Sequence, residues 1–228
     1  MSKSFLGILA SIIIIFGAIF FFTSQNNNKS GSTSSSTQPT NHIEGGGSTG
    51  VTLVEYGDFE CPYCEEYYPI VKQVVADEYS KITFQFRNFP LTSIHPNAFA
   101  GARAAEAAGL MGKYWQMHDA LYNSSNWRQW STATNPDPYF YQYAQQLGLN
   151  VSQFKTYFAS NQVNNMIQAD MAAGNKLNIQ GTPTFYLDGK QIQVGPSVSQ
   201  FETLINNAIA AKGKVSTTTS GTTTQTKK

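Results

Sequence analysis

The residues able to do covalent chemistry in this chain are few. Cys61 and Cys64 are the only cysteines among 228 residues, and only Pro62 and Tyr63 separate them. The apolar run Val51-Thr52-Leu53-Val54 precedes the pair. A helical pattern follows it, with Tyr67, Ile70, Val71, Val74 and Val75 on one face. The dithiol is therefore expected where a strand turns into a helix. The first turn of a helix offers unpaired backbone N–H groups and the positive end of the macrodipole. Pro62 suits an early helical position, and Cys61 beside it gains a stabilised thiolate. A thiolate attacks disulfides, and Cys64 lies within reach to displace a partner joined to Cys61. The chemistry expected is thiol–disulfide exchange through a mixed disulfide.

Two plainer readings compete. A Cys-x-x-Cys pair can be half of a zinc site, but zinc needs four ligands and no second cysteine pair exists; His95 and His118 could complete one only by coincidence of fold. A structural disulfide closing so short a loop would add little stability. No metal and no cofactor is expected.

The elements that must position the pair come next. Residues 1–4 read as a short cytoplasmic end. Phe5 to Phe22 is an uncharged run rich in Ile and Phe, about 27 Å long as a helix, enough to cross the apolar core of a bilayer. Ala18-Ile19-Phe20 lacks the small residues of a cleavage site. The span reads as an uncleaved anchor, with a cleaved signal as the alternative. Lys3 is the only basic residue before it, which places the rest of the chain outside the cytoplasm. There a dithiol is free to cycle oxidised.

Residues 23–50 are Asn, Ser, Thr and Gly with little to bury, and read as a flexible linker spanning roughly 25–30 Å. Residues 214–228, Thr-rich, read as a disordered tail. The formal net charge of +1 argues against a nucleic-acid partner. One domain remains, residues 51–213.

Within it, Lys81 to Arg87 alternates like a half-buried strand. Five helical patterns follow, and the inserted block they form spans about residues 96–175. They cover Asn97–Gly109, the aromatic face of Tyr114, Trp115, His118, Leu121 and Tyr122, Asp137–Gly148, a segment capped by Asn150 and Gln153, and one ending near Gly174. The aromatic face reads as core. Thr184–Leu187, a turn at Asp188-Gly189, and Gln191–Val194 form a hairpin. A final helix opens on the capping pair Ser199 and Glu202 and ends at Gly213.

This order, the Cys-Pro-Tyr-Cys at the first junction, and Gly181-Thr182-Pro183-Thr184-Phe185 before the hairpin together resemble the DsbA-like thiol–disulfide oxidoreductases, most of all their membrane-anchored Gram-positive branch. Arg87-Asn88-Phe89-Pro90, His95-Pro96-Asn97-Ala98 and Lys113 to Asp119 are similar to that family too. The resemblance implies an α/β thioredoxin fold with an inserted helical block, here preceded by one N-terminal transmembrane helix. It makes Cys61 the exposed nucleophile and Cys64 its buried partner, Pro183 the cis-proline against the dithiol, and Thr182 a backbone partner for substrate. Pro62 and Tyr63 would also face substrate.

Glu55, six residues before Cys61, matches the family's buried acid; there its pKa would rise and it could exchange protons with Cys64. A partly solvated strand terminus is the alternative. Glu60, Glu65 and Glu66 read as first-turn acids favouring the helix dipole. Oxidising members often carry histidine where this chain has Tyr63, whose O–H is neutral.

The function implied is introduction of disulfides into reduced or unfolded exported proteins, at a cell membrane reached through the chain's own helix. Recharging would come from a quinone-linked DsbB-like or VKOR-like membrane partner. A reductase or isomerase on the same scaffold is the alternative, and a non-catalytic peptide-binding module a more remote one.

Overall fold

A computed structural model describes residues 38–220, with side chains to Lys214. The expected cytoplasmic end, the anchor over residues 5–22 and the linker to residue 37 lie outside the described residues, as does the tail beyond residue 220. Among the described residues no helix is long and apolar enough to cross a membrane.

The elements run β1 (His42–Glu44), β2 (Val51–Gly57), α1 (Pro62–Asp77), β3 (Ile82–Asn88), α2 (Ala98–Gly109), α3 (Tyr114–Tyr122), α4 (Ser124–Trp130), α5 (Asp137–Gln146), α6 (Val151–Phe158), α7 (Asn161–Lys176), β4 (Thr184–Leu187), β5 (Lys190–Ile192) and α8 (Val198–Ser220). One sheet has the order β1-β3-β2-β4-β5. Its central pair is parallel, with Val51 opposite Ile82 and Gly57 opposite Asn88, while β1, β4 and β5 join antiparallel.

The parallel pair is buried because its residues are apolar: Val51, Leu53, Ile82 and Phe86 have no measurable exposure. Helix α1 turns Val71, Val74 and Val75 inward, and α8 packs on α1 and β2 with Phe201 and Ile205. The alanines of α2 permit close approach, and it touches α3, α5, α6 and α7. The hairpin turn uses left-handed Asp188 and Gly189 (φ 48° and 77°), which suit a tight two-residue connection.

Five features differ from the sequence reading. Residues 38–50 were expected to belong to a flexible linker, yet His42–Glu44 pairs with β3 and Thr40 is 7 % exposed. What holds this segment is polar. Thr40 N and Oγ1 each donate to the Asp170 carboxylate at 2.7 Å, and Gln85 and Arg87 donate to the Thr40 carbonyl. Helix α4 was not foreseen; Asn123 caps it by accepting from Ser125 and Asn126. Helix α8 passes through Gly213 to Ser220, into the expected tail, because a glycine without a left-handed turn costs a helix only about 1 kcal/mol. Ser199 lies inside that helix and faces Ser197 Oγ, so it does not cap it. At Asn150 the cap forms on one side only, from Gln153 N to Asn150 Oδ1.

Candidate active site

Cys61 is the N-cap of α1, in an extended conformation, with Pro62 beginning the helix. Its carbonyl accepts from Glu65 N at 3.1 Å, and its own N–H reaches the Asp58 carbonyl. One helical turn on, Cys64 is fully buried, and its Sγ accepts from Asp58 N at 3.5 Å. Both thiols are free.

The loop before β4 closes over this junction. The Thr182–Pro183 peptide is cis, and Cys61 Sγ lies 3.3 Å from the Thr182 carbonyl oxygen. This contact corrects the expectation of an exposed nucleophile: Cys61 is 3 % exposed, whereas Tyr63 beside it is 65 % exposed. A groove of about 230 Å³ runs along Tyr63, Tyr67, Thr182, Pro183, Gln193 and Val194, and Tyr67 Oη donates to the Val194 carbonyl at 2.7 Å.

The electrostatics separate the two sulfurs. Cys61 is lowered to about 6, first by the hydrogen bond from the Cys64 thiol. Burial opposes the shift, while the Thr182 side chain and the N–H groups of Cys64 and Tyr63 add to it. Cys64 is pushed well above the usual thiol range, chiefly by burial and then by its bond to Cys61. At neutral pH this gives a thiolate at Cys61 and a thiol at Cys64.

Glu55, on β2, is 4 % exposed, and its carboxyl makes no hydrogen bond among the described residues. Burial raises it to about 8, with a smaller contribution from the charge on Cys61. A carboxylic acid of that value is matched to proton exchange near neutrality.

Other expected residues fall elsewhere. Glu60 precedes the helix instead of lying in its first turn; it is buried and accepts from Asn97 N at 2.5 Å, fastening the start of α2. His95 Nδ1 pairs with Asp58 at 2.7 Å, and His118 sits on α3 among aromatic rings beside Asp119. The two histidines thus have separate partners.

Sequence reasoning gave Asp58 no role. Its carboxylate is 1 % exposed and accepts from Glu60 N and Leu91 N as well as meeting His95. It therefore ties the junction that carries the dithiol to the loop after β3. An acid between a strand end and a Cys-x-x-Cys was the available signal.

Fold and dithiol together define a thioredoxin-like protein whose Cys-x-x-Cys pair sits at a strand–helix junction against the Thr182–Pro183 loop. The chain belongs to the thioredoxin family, which it matches over residues 37–207. Among solved structures, a thioredoxin-like oxidoreductase from Silicibacter pomeroyi DSS-3 has a TM-score of 0.63 at 25 % identity, covering 78 % of this chain and 97 % of that one. BdbD from Bacillus subtilis has a TM-score of 0.62 at 20 % identity, covering 76 % and 96 %. By sequence, the chain is 32 % identical over 170 residues to the Na(+)/H(+) antiporter NhaA 1 of Salinispora arenicola, covering 75 % of this chain and 25 % of that protein. It thus spans about a quarter of the length of the curated relatives it matches.

Proposed function

We propose that this chain donates disulfides to reduced exported proteins. The supporting observation is the division of labour at the dithiol: a Cys61 lowered to about 6, set against a cis-proline loop, and a buried Cys64 held as a thiol. The value falls between those of thioredoxin, about 7, and DsbA, about 3.5, and a stabilised thiolate favours the reduced form, which makes the pair oxidising.

A substrate thiolate attacks Cys61 Sγ of the oxidised pair, the Cys61–Cys64 bond breaks, and Cys64 leaves and takes up a proton. A second substrate thiolate then attacks the mixed disulfide, forming the substrate disulfide and releasing Cys61 as thiolate. Thr182 backbone groups and the Tyr63–Val194 groove would hold the substrate as an extended strand. The uncharged run over residues 5–22 would tether the domain to the outer side of a cell membrane. A quinone-linked DsbB-like or VKOR-like partner would reoxidise it there. The reductase alternative draws on Tyr63, which adds no positive charge between the cysteines.

The reduction potential decides between them. Equilibration in graded glutathione buffers should place the pair less negative than about −200 mV; a value near −270 mV would make reduction the function. A pair that does not exchange at all would sink both.

A further inference from the structure

Cys64 is fully buried, and once a substrate is joined to Cys61 it covers the groove, so the proton that Cys64 gains or loses needs another exit. A cavity of about 50 Å³ lies on the far side of Glu55, between α1, α3 and the central strands. One water needs roughly 10–15 Å³, so the space suffices for more than one. Its walls carry Glu55, Tyr122 and His118 at the inner end and Lys72, Asp119 and Glu44 at the outer.

Two polar atoms of that wall, His118 Nε2 and Tyr122 Oη, are buried without a hydrogen-bond partner among the described residues. Such atoms are costly in a dry core and natural beside water. The other nitrogen of His118 faces Asp119 Oδ1 at 3.4 Å, and Asp119 Oδ2 meets Lys72 Nζ at 2.5 Å. Lys72 and Asp119 side chains are 55 % and 40 % exposed, so this end of the chain of groups reaches solvent.

We propose that His118, with the Asp119–Lys72 pair as its outlet, relays protons between Glu55 and solvent through this cavity, away from the substrate groove. The relay rests on the proposed exchange cycle and on Glu55 serving Cys64 within it. When Cys64 resolves a mixed disulfide, Glu55 first gives its own proton to the cavity and then takes the Cys64 proton; the Cys64 sulfur bonds to Cys61 Sγ, and the Cys61–substrate bond breaks with the substrate leaving as thiolate. The proton that Glu55 gives up passes through cavity water to His118 Nε2. The Nδ1 proton of His118 is released on the Asp119 side. In disulfide donation the same path runs inward. Burial lowers His118, which keeps its ring neutral and Nε2 open to a proton.

The test uses the reduced full chain mixed with increasing oxidised glutathione. The slope at low concentration reads attack by Cys61, and the plateau at high concentration reads resolution by Cys64. His118→Ala should lower the plateau by about ten- to hundredfold with the slope unchanged. Added imidazole should restore it, while pyrrole, of similar shape but without a basic nitrogen, should not. His118→Gln, which keeps a polar side chain but has no nitrogen that takes up and releases a proton, should show the same loss if the alanine variant fails to fold. An unchanged plateau in a folded variant, or equal rescue by pyrrole, would overturn the relay. Glu55→Gln measured alongside separates the failures. If it lowers the plateau and His118→Ala does not, the acid stands and the relay falls; if neither lowers it, the role of Glu55 falls as well.

Discussion

Two regions of this molecule bury carboxylates beside the same sheet and use them differently. Asp170 is inaccessible and saturated: it accepts from Thr40 N and Oγ1, Asn88 N and Nδ2, and Arg87 Nη1. Glu106, equally inaccessible, accepts from Asn88 Nδ2 at 2.6 Å and faces His42 Nε2 at 2.8 Å. Glu55 on the central strand has no such partners and lies against a cavity and the charge of Cys61. A buried acid whose lone pairs are all occupied works as a fastener, because its donors are spent holding chain segments in register. One left without partners keeps a proton to a pH where it can be traded. The difference lies in the neighbours and not in the depth.

Asp170→Ala tests the fastener and should give the largest effect. It strands donors from Thr40, Asn88 and Arg87 in the interior, and the loss should be about 3–5 kcal/mol in urea unfolding. Thiolate reactivity of Cys61 in the folded fraction should not change. Equal damage to stability and to Cys61 would erase the contrast between the regions.

Glu55→Gln should do the reverse. The folded value of about 8 against an ordinary 4.5 means that the native state holds a proton the unfolded chain has released. Stability conferred by that proton is therefore complete below pH 4.5 and is lost as pH rises toward 8. The glutamine variant escapes the loss and should be about 4 kcal/mol more stable than the parent at pH 8, with no advantage below pH 4.5. A variant destabilised at pH 8 would mean that Glu55 is a fastener too.

The same contrast explains what was legible in the sequence. Apolar periodicity marked β2, α1, β3 and the aromatic face of α3, since burying those side chains is what holds them. The dithiol and the acid six residues before it were visible as residue types at fixed spacing. Strand β1 was not, because His42-Ile43-Glu44 sits in a polar run and is held through His42 on Glu106 and Thr40 on Asp170, pairs whose meeting is long-range. Asp58 was hidden similarly: its partners Leu91 and His95 come from a loop more than thirty residues on. The covering of Cys61 needed the Thr182 carbonyl, a backbone atom that no residue-type pattern can place.

Thr40→Val is the finest probe of the fastener. Valine keeps the shape of threonine and the backbone N–H that reaches Asp170 Oδ1, and removes only the 2.7 Å hydroxyl bond to Oδ2. Asp170 retains its contacts to Asn88 and Arg87, so the cost should be that of one bond to a charged acceptor, about 1–2 kcal/mol. It should show both in global unfolding and as faster amide exchange across the β1–β3 pairing of residues 42–44 with 84–86. If residues 38–44 were only the end of a linker, the substitution would change neither. A global loss without local exchange would mean that Thr40 steadies Asp170 and the core behind it, while β1 is held by its pairing alone.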